Sequence, residues 1–317
     1  MSFSLIRFNL IDPSLNPETL SSRYKAMLEM AEFADKNGFF MATFEEHHGA
    51  DNAWSPTPLI NAATVLARTT NLSASISALL LPLHDPIRVA EDIAVIDLMS
   101  GGRLNVIFGL GYRPSEYQLM GKSWEKRGQL MDESLQTLLN AWTGEPFEYK
   151  GATHCINPTP LTKPHPFIMI GGTSKVAARR AARFGLPLSP AAHMPELEAY
   201  YYEQCELNGT QGFCAMPDEE TQMTFVAEDP DKAWAELGQY FFNEAAKYAS
   251  WQTSDISSAV HSHATTPEEL RKEGIYQVVT PTEAIQLDRI VHHPLWGGMP
   301  IDKAWESLQL YADAQNS

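Results

Sequence analysis

The feature that most constrains this fold is an alternation of short apolar segments with longer segments of helical periodicity, repeated about eight times along the chain. Apolar runs such as residues 3–10 and 104–110 have the length of buried strands. The segment after such a run often opens with a capping residue and a proline, as at Asp85-Pro86, which is typical of the first turn of a helix. Regular alternation of this kind predicts a parallel sheet covered by helices.

The number of alternations suits a (β/α)8 TIM barrel better than a doubly wound sheet. The first turn also lacks the Gly-x-Gly-x-x-Gly pattern of dinucleotide-binding sheets. We therefore expect an α/β protein, a TIM barrel with loop insertions, forming a single domain over residues 1–317. Two stretches, 276–279 and 290–291, compete for the last strand, and the polar residues 251–264 are predicted to be a mobile insertion.

Charge and cysteine content restrict the compartment and the partners. The formal net charge of −16 leaves no basic surface for phosphates, which argues against nucleic-acid or anionic-membrane partners. The three cysteines have no metal-binding spacing and cannot all pair, which favours a reducing compartment. With no apolar run of membrane-spanning length, the sequence predicts an acidic, soluble, cytoplasmic protein.

The most concentrated set of ionisable side chains lies in residues 39–50. Six mostly apolar residues, 39–44, run directly into Glu45, Glu46, His47 and His48. The carboxyl end of a buried parallel strand faces the catalytic mouth of an α/β fold, where a histidine beside a carboxylate can move protons. Acid–base chemistry, a metal site and a solvated loop all remain open for this cluster. The further ligands that a metal would need are candidates without a regular spacing, namely His84, Asp85 and His154.

A second candidate site is the turn at residues 171–174. Gly171, Gly172, Thr173 and Ser174 follow a predicted strand and open a helix, so the turn offers backbone N–H groups, hydroxyls and a helix N-terminus. These are the components of a phosphate site, but a tight turn with an ordinary helix cap has the same composition. The turn follows the fifth predicted strand, whereas TIM barrels often hold phosphate after the seventh and eighth, so the fold alone does not decide between them.

Several blocks of sequence resemble the bacterial luciferase-like flavin-dependent monooxygenase family. They are residues 44–49 (FEEHHG), 81–92 (LPLHDPIRVAED), 96–103 (IDLMSGGR), 108–117 (FGLGYRPSEY), 164–172 and 297–300 (GGMP). The blocks occur in the family's order over nearly the whole chain. The match is weakest in the last quarter, so the resemblance does not identify the substrate.

The resemblance implies a barrel that binds FMN and uses the reduced form with O₂ to oxidise a small organic substrate. It further implies a homodimer and a separate NAD(P)H–flavin reductase that supplies reduced FMN. The implied catalytic residues are His47 and Glu46. The implied cofactor-binding residues are Ser77, Ala78, Tyr112, Arg113, Gly171, Gly172, Thr173 and Ser174. Ser77-Ala78 matches the position of a non-prolyl cis peptide under the flavin ring, and Arg113 matches a phosphate-side arginine with a shift of one residue.

Three other functions are consistent with parts of the sequence. A deazaflavin-dependent oxidoreductase on the same barrel would transfer hydride instead of activating O₂. The chain could also be a non-catalytic flavin-binding paralogue, although the retained Glu46-His47 pair argues against this, or a metal-dependent hydrolase. Small residues favour the helices predicted over 57–68 and 86–99 as the contact between the two subunits of the dimer. A separate prediction is that His292 and His293 make structural hydrogen bonds.

Overall fold

The computed structural model describes residues 3–219, 222–251 and 258–316. The strands are β1 Phe3–Phe8, β2 Met41–Phe44, β3 Ser73–Leu79, β4 Leu104–Phe108, β5 Phe147–Tyr149, β6 Ala152–His154, β7 Phe167–Gly171, β8 Leu188–Ser189, β9 Met223–Val226, β10 Tyr276–Val279 and β11 Arg289–His292. The α-helices are α1 Pro17–Lys36, α2 Pro58–Arg68, α3 Pro86–Ser100, α4 Pro114–Leu119, α5 Arg127–Thr143, α6 Lys175–Phe184, α7 Pro195–Asn208, α8 Pro230–Trp251, α9 Pro267–Glu273, α10 Pro281–Ala284 and α11 Ile301–Gln315.

The chain forms two compact units. The first comprises Met1–Pro56, Arg68–Ser73 and Asp218–Ser317, and the second comprises Thr57–Ala67 and Ala74–Pro217. In the first unit the strands run in the order β10-β9-β11-β1-β2, and each pair of neighbours is parallel. In the second unit β3, β4, β7 and β8 follow one another, again in parallel, while β5 and β6 form an antiparallel hairpin. That the whole chain is one domain stays a prediction.

Side-chain caps explain where several helices begin. The Asn16 side chain accepts hydrogen bonds from the N–H groups of Glu18 and Thr19, and Asp85 caps α3 in the same way. Thr280 forms a complete capping box with Glu283 at α10. Each cap satisfies N–H groups that the first turn cannot bond internally and is worth about 1 kcal/mol. The second predicted capping box is only half formed, because the Glu269 carboxylate accepts from Thr265 rather than from the cap residue Thr266.

The ambiguity over the last strand is resolved because both candidate stretches are strands. β11 pairs with β1 and is thus the strand that follows β9 in the sheet, whereas β10 lies on the outer side of β9. Part of the predicted mobile insertion, residues 252–257, lies outside the described residues, and 258–264 has no helix or strand. No helix within the described ranges is long and apolar enough to cross a membrane.

Helix α3 exposes one of its apolar residues. Leu98 is 45% exposed, whereas Ile93 and Ile96 are buried. A helix turns by about 100° per residue, so a residue two positions beyond the buried Ile96 points roughly to the opposite side. The short helix α4 was not predicted from the sequence, and the longer helix α5 after it begins at Arg127.

Candidate functional site

His47 lies just after β2 in the first unit and is 7% exposed. Its backbone N–H donates to the carbonyl of Ser55, 3.2 Å away, which fixes the chain after the strand end. The imidazole packs edge-on against the indole of Trp54, with ring centroids 5.0 Å apart, and against Trp251 at 4.8 Å. Trp54 is buried and Trp251 half-buried, so two large aromatic rings keep water from much of the imidazole surface.

Glu46 is bonded to the second histidine of the cluster. The Glu46 Oε1 and His48 Nε2 atoms are 2.8 Å apart, and both residues are buried. Residues two apart on an extended chain point the same way, which accounts for this pairing and agrees with the expectation that Glu46 need not be the partner of its neighbour His47. The catalytic role of Glu46 stays a prediction.

Four ionisable groups, three of them buried and Glu45 partly exposed, form what we call the ion quartet: Arg7, Glu45, Glu244 and His293. The Arg7 guanidinium donates to Glu45 Oε1 at 2.5 Å and to Glu244 Oε1 at 2.7 Å. The Glu244 Oε2 and His293 Nε2 atoms are 3.0 Å apart, and His293 Nδ1 lies 2.9 Å from the carbonyl of Arg7. These residues come from β1, the segment after β2, α8 and the segment after β11, so the quartet ties four parts of the first unit together.

The electrostatics of the quartet are set by mutual pairing. Burial by itself would raise the pKa of Glu244, but the charges of His293 and Arg7 and the hydrogen bonds to Glu244 lower this pKa to about 2. Burial likewise works against the charge of Arg7, and the two carboxylates outweigh it, so the pKa of Arg7 rises. A buried charge is tolerated when it is paired in this way.

The ion quartet is connected to the ring that packs on His47. The second oxygen of Glu45, Oε2, accepts a hydrogen bond from the indole N–H of Trp54 at 3.1 Å.

Two members of the ion quartet, Arg7 and Glu244, were not predicted from the sequence. Arg7 interrupts the otherwise largely apolar β1, and a charge in a buried strand is a usable signal for a buried partner. Glu244 gives no comparable signal within its helix.

The prediction that His292 and His293 make structural hydrogen bonds is confirmed. His292 bonds to Ser307 Oγ at 3.0 Å, and His293 bonds to the carbonyl of Arg7 and to Glu244.

The predicted cofactor residues all lie in the second unit. The Ser77–Ala78 peptide bond is cis, as the resemblance implied. Gly109 lies close to this peptide bond, since a Cβ atom at Gly109 would lie only 2.9 Å from the Cβ of Ala78.

Two of the residues considered as metal ligands have other positions in the fold. Asp85 caps α3, and His154 is exposed on β6.

Arg113 is paired with a buried carboxylate within the second unit. Its guanidinium donates to Glu116 Oε1 at 2.8 Å, and the Arg113 side chain is 11% exposed. The residue precedes α4, next to Tyr112 and to Gly111, whose φ of +73° lies in the region that favours glycine. The ion pair fixes the arginine side chain and partly balances its charge.

The turn at 171–174 joins β7 to α6. Gly172 has a φ of +137°, and a Cβ atom there would lie 3.0 Å from the Cβ of Ala177. Its N–H donates to the carbonyl of Ser189, so this one donor of the turn is already used. Ser174 caps the helix by accepting from Ala177 N–H at 3.2 Å. The first-turn N–H groups of Lys175 and Val176 have no intrahelical acceptor and, with the helix dipole, favour an anion.

This chain is similar to known proteins of one family. The family model for luciferase-like monooxygenases matches residues 1–276. The chain is 31% identical over 167 residues to the FMNH₂-dependent dimethylsulfone monooxygenase of Pseudomonas putida, covering 49% of this chain and 45% of that protein. It is 28% identical over 177 residues to the oxygenase component of the flavin-dependent trigonelline monooxygenase of Acinetobacter baylyi, covering 54% and 48%. The chain thus spans about half the length of the curated relatives that it matches.

Solved structures match over nearly the full length at low identity. The monooxygenase RslO1 of Streptomyces bottropensis has a TM-score of 0.77, with 23% identity and coverage of 99% of this chain and 98% of that one. The 3,6-diketocamphane monooxygenase of Pseudomonas putida, solved with FMN, has a TM-score of 0.68, 18% identity and coverage of 98% and 96%. An F420-dependent secondary alcohol dehydrogenase has a TM-score of 0.65, 17% identity and full coverage of both chains.

These likenesses confirm the predicted fold class, the TIM-barrel type of α/β protein. They also confirm the resemblance noted in the sequence. The chain belongs to the luciferase-like monooxygenase family.

Proposed function

We propose that this protein is an FMN-dependent monooxygenase that uses reduced FMN and O₂ to oxidise a small organic substrate. One oxygen atom would enter the substrate, the other would leave as water, and reduced FMN would supply the two electrons required. The observation that carries the proposal is the family match over residues 1–276, supported by relatives whose names specify flavin or FMNH₂ as cofactor.

The turn at 171–174 fits the phosphate of FMN. Close approach of a phosphate to backbone N–H groups requires small residues, and the turn has glycine at both positions 171 and 172. The hydroxyls of Thr173 and Ser174 and the N-terminus of α6 add donors and a favourable dipole. Arg113 would supply a cation, and Ser77, Ala78 and Tyr112 would complete the cofactor-binding set. Bound FMN supplies the redox chemistry.

His47 would hold or move the proton that oxygenation requires. An imidazole ring can serve as the donor or the acceptor of a proton in general acid–base catalysis. Trp54 and Trp251 pack on its ring, which excludes bulk water and limits unproductive proton exchange. Glu46 would act on this chemistry through His48, with which it is paired.

The protein would work with a NAD(P)H–flavin reductase in the cytoplasm and form a homodimer through α2 and α3. The surface between these helices carries a groove of about 530 Å³. Its lining includes Ile60 and Met99, which are 62% and 61% exposed, together with Val95. Exposed apolar side chains concentrated in one groove are typical of a protein–protein contact.

The proposal is tested by titrating the purified protein anaerobically with reduced FMN and, separately, with a reduced deazaflavin. We expect stoichiometric binding of FMN and then O₂-dependent turnover with at least one of a panel of aldehydes, sulfonates, alkanes and ketones. Preferential binding of the deazaflavin, with hydride transfer and no O₂ uptake, would instead support the function named for the alcohol dehydrogenase neighbour.

A further inference from the structure

The imidazole of His47 is packed against two tryptophan rings that differ in their exposure to solvent. The centroid of the His47 ring lies 5.0 Å from that of Trp54 and 4.8 Å from that of Trp251. His47 is 7% exposed and Trp54 is 2% exposed, whereas Trp251 is half-buried. Of these three rings, Trp251 is therefore the one that a molecule approaching the imidazole from solvent meets first.

The position of Trp54 is fixed by a hydrogen bond as well as by burial. Its indole N–H donates to Glu45 Oε2 at 3.1 Å, and Glu45 is itself bonded to the Arg7 guanidinium. The centroids of Trp54 and Trp251 are 5.2 Å apart, with the ring planes at 48°. A ligand cannot displace Trp54 without breaking its bond to Glu45, so Trp54 forms a fixed support behind Trp251.

Trp251, the last residue of α8, is oriented by groups from its own helix. The Lys247 ammonium lies 5.5 Å from the centroid of the Trp251 ring and is paired with Asp51 Oδ1 at 2.6 Å. Tyr248, three residues before Trp251, packs on Trp54 with a centroid distance of 6.1 Å. We call Trp54, Tyr248 and Trp251 together the aromatic wall.

The aromatic wall favours a flat, uncharged ring as the group that it binds. Aromatic rings pack on one another in offset or edge-to-face arrangements, and each such pair is worth about two- to tenfold in affinity beyond the area that it buries. A saturated ring of the same size buries a similar area without this additional term. The Lys247–Asp51 pair carries no net charge, so it gives an ionised group such as a sulfonate no comparable advantage.

We propose that Trp251 is a specificity-determining residue that selects substrates carrying a planar aromatic ring. The ring of the substrate packs against Trp251 and thereby brings the group attached to it close to His47. That the bound molecule is a substrate rests on the proposed function. The preference for a planar ring is a property of binding and can be measured without turnover.

The binding preference is tested with benzamide and cyclohexanecarboxamide, which carry the same amide on a planar and on a saturated ring. Their affinities for the full chain would be measured by ligand-observed NMR titration in the presence of FMN. We expect the parent to bind benzamide about fivefold more tightly than the saturated analogue, and Trp251→Leu to bring this ratio close to one. A ratio near one in the parent, or the parent ratio in Trp251→Leu, would overturn the proposal.

Two further variants separate ring packing from a general loss of structure. Trp305→Leu makes the same substitution at another half-buried tryptophan, on α11, and should keep the parent ratio. Trp251→Phe retains an aromatic ring and should keep most of the preference, so a ratio as low as in Trp251→Leu would contradict packing of ring on ring. If Trp251→Leu does not fold, Trp251→Met replaces it as the variant with a flexible, non-aromatic side chain.

The consequence for turnover is tested with the corresponding aldehydes, benzaldehyde and cyclohexanecarbaldehyde. We expect Trp251→Leu to raise KM for benzaldehyde by about fivefold and to change KM for the saturated aldehyde by less than about twofold. An equal rise for both aldehydes, or a parent that oxygenates only substrates without an aromatic ring, would overturn the selection. If the parent oxygenates no substrate at all, the proposed function fails, while the ratio of the amide affinities still decides whether Trp251 selects planar rings.

Discussion

The segments that follow β2 and β7 differ in the kind of group that would carry out their proposed roles. After β2, ionisable side chains are packed in the interior, where Glu46 pairs with His48 and Glu45 pairs with Arg7. After β7, the turn at 171–174 has no charged side chain, and backbone groups and a helix N-terminus carry the polarity. The first region should therefore be sensitive to changes of charge, and the second to changes of size.

The difference follows from what each region would have to do. Proton transfer needs a titratable group held in one orientation, which requires hydrogen-bonded and charged neighbours. Phosphate binding at a helix N-terminus needs close approach to N–H groups, which a side chain would block. The following changes test this contrast, beginning with the largest expected effect.

Replacing His47 with alanine removes the proposed acid–base group from the first region without touching the second. We expect FMN binding to be retained and substrate oxygenation to fall by about 10²–10⁴-fold, the usual contribution of a positioned acid or base. Product formed and peroxide released per reduced FMN would be measured together, and peroxide should become the main product. His48→Ala is the control and should be milder, while a larger loss there would move the assignment by one residue.

Replacing Glu244 with glutamine tests the sensitivity of the first region to charge. The substitution leaves Arg7 and His293 without their shared carboxylate, so we expect the free energy of unfolding at pH 7 to fall by about 3–5 kcal/mol. Glu32→Gln, in a largely exposed pair with Arg68, should lower it by less than about 1 kcal/mol. Similar losses in the two variants, measured by urea unfolding, would contradict the importance of the buried pair.

The same variant predicts a pH dependence. Because the folded-state pKa of Glu244 is about 2, against an ordinary value of 4.5, its ionised form stabilises the parent fully above about pH 4.5. This stabilisation is lost as the pH falls from about 4.5 towards 2. The difference in unfolding free energy between the parent and Glu244→Gln should therefore shrink over this window, and a constant difference would show that the carboxylate is not held ionised.

Replacing Gly172 with valine tests the sensitivity of the second region to size. The φ of +137° and the 3.0 Å approach to Ala177 leave no room for a side chain, so we expect FMN affinity to fall by about tenfold or more. Riboflavin, which lacks the phosphate, should lose much less affinity. Gly121→Val is the control, since Gly121 has a φ of +64° but no atom within 4 Å of a Cβ. Unchanged FMN affinity in Gly172→Val would refute the phosphate assignment.

A substitution in the groove between α2 and α3, away from both of these segments, should have the smallest effect on FMN binding and catalysis. Ile60→Asp places a charge in the apolar groove between α2 and α3, and we expect it to dissociate the proposed dimer while leaving FMN affinity within about threefold. Leu207→Asp places a charge at an exposed leucine outside the groove and should leave the dimer intact. Light scattering at micromolar concentration gives the masses, and a monomeric parent would contradict the proposed interface.

Local patterns were sufficient to predict most of the fold. The Asp85-Pro86 start of α3, for example, was predicted from a capping residue followed by proline. These signals act within one helical turn and so are visible in the sequence. The short helix α4 was missed, because short helices depend on tertiary contacts such as the packing of Tyr117 on Trp124.

The candidate site was predictable where its residues are close in sequence and not where they are distant. The residues 45–48 and 171–174 form compact groups that the sequence displays directly. The partners of Glu45, by contrast, lie 38 residues away at Arg7 and, through Arg7, at Glu244 and His293. Only the folded chain brings these groups together, since nothing local distinguishes Glu244 from any other glutamate on α8.

The most direct test of the proposed function is to supply the protein with enzymatically reduced FMN under ¹⁸O₂ and analyse the products of the substrate panel by mass spectrometry. We predict that one ¹⁸O atom appears in the product of at least one substrate and that His47→Ala forms this product far more slowly than the parent. A product formed at the parent rate by His47→Ala, or oxidation without any ¹⁸O incorporation, would contradict an FMN-dependent monooxygenase that works through His47.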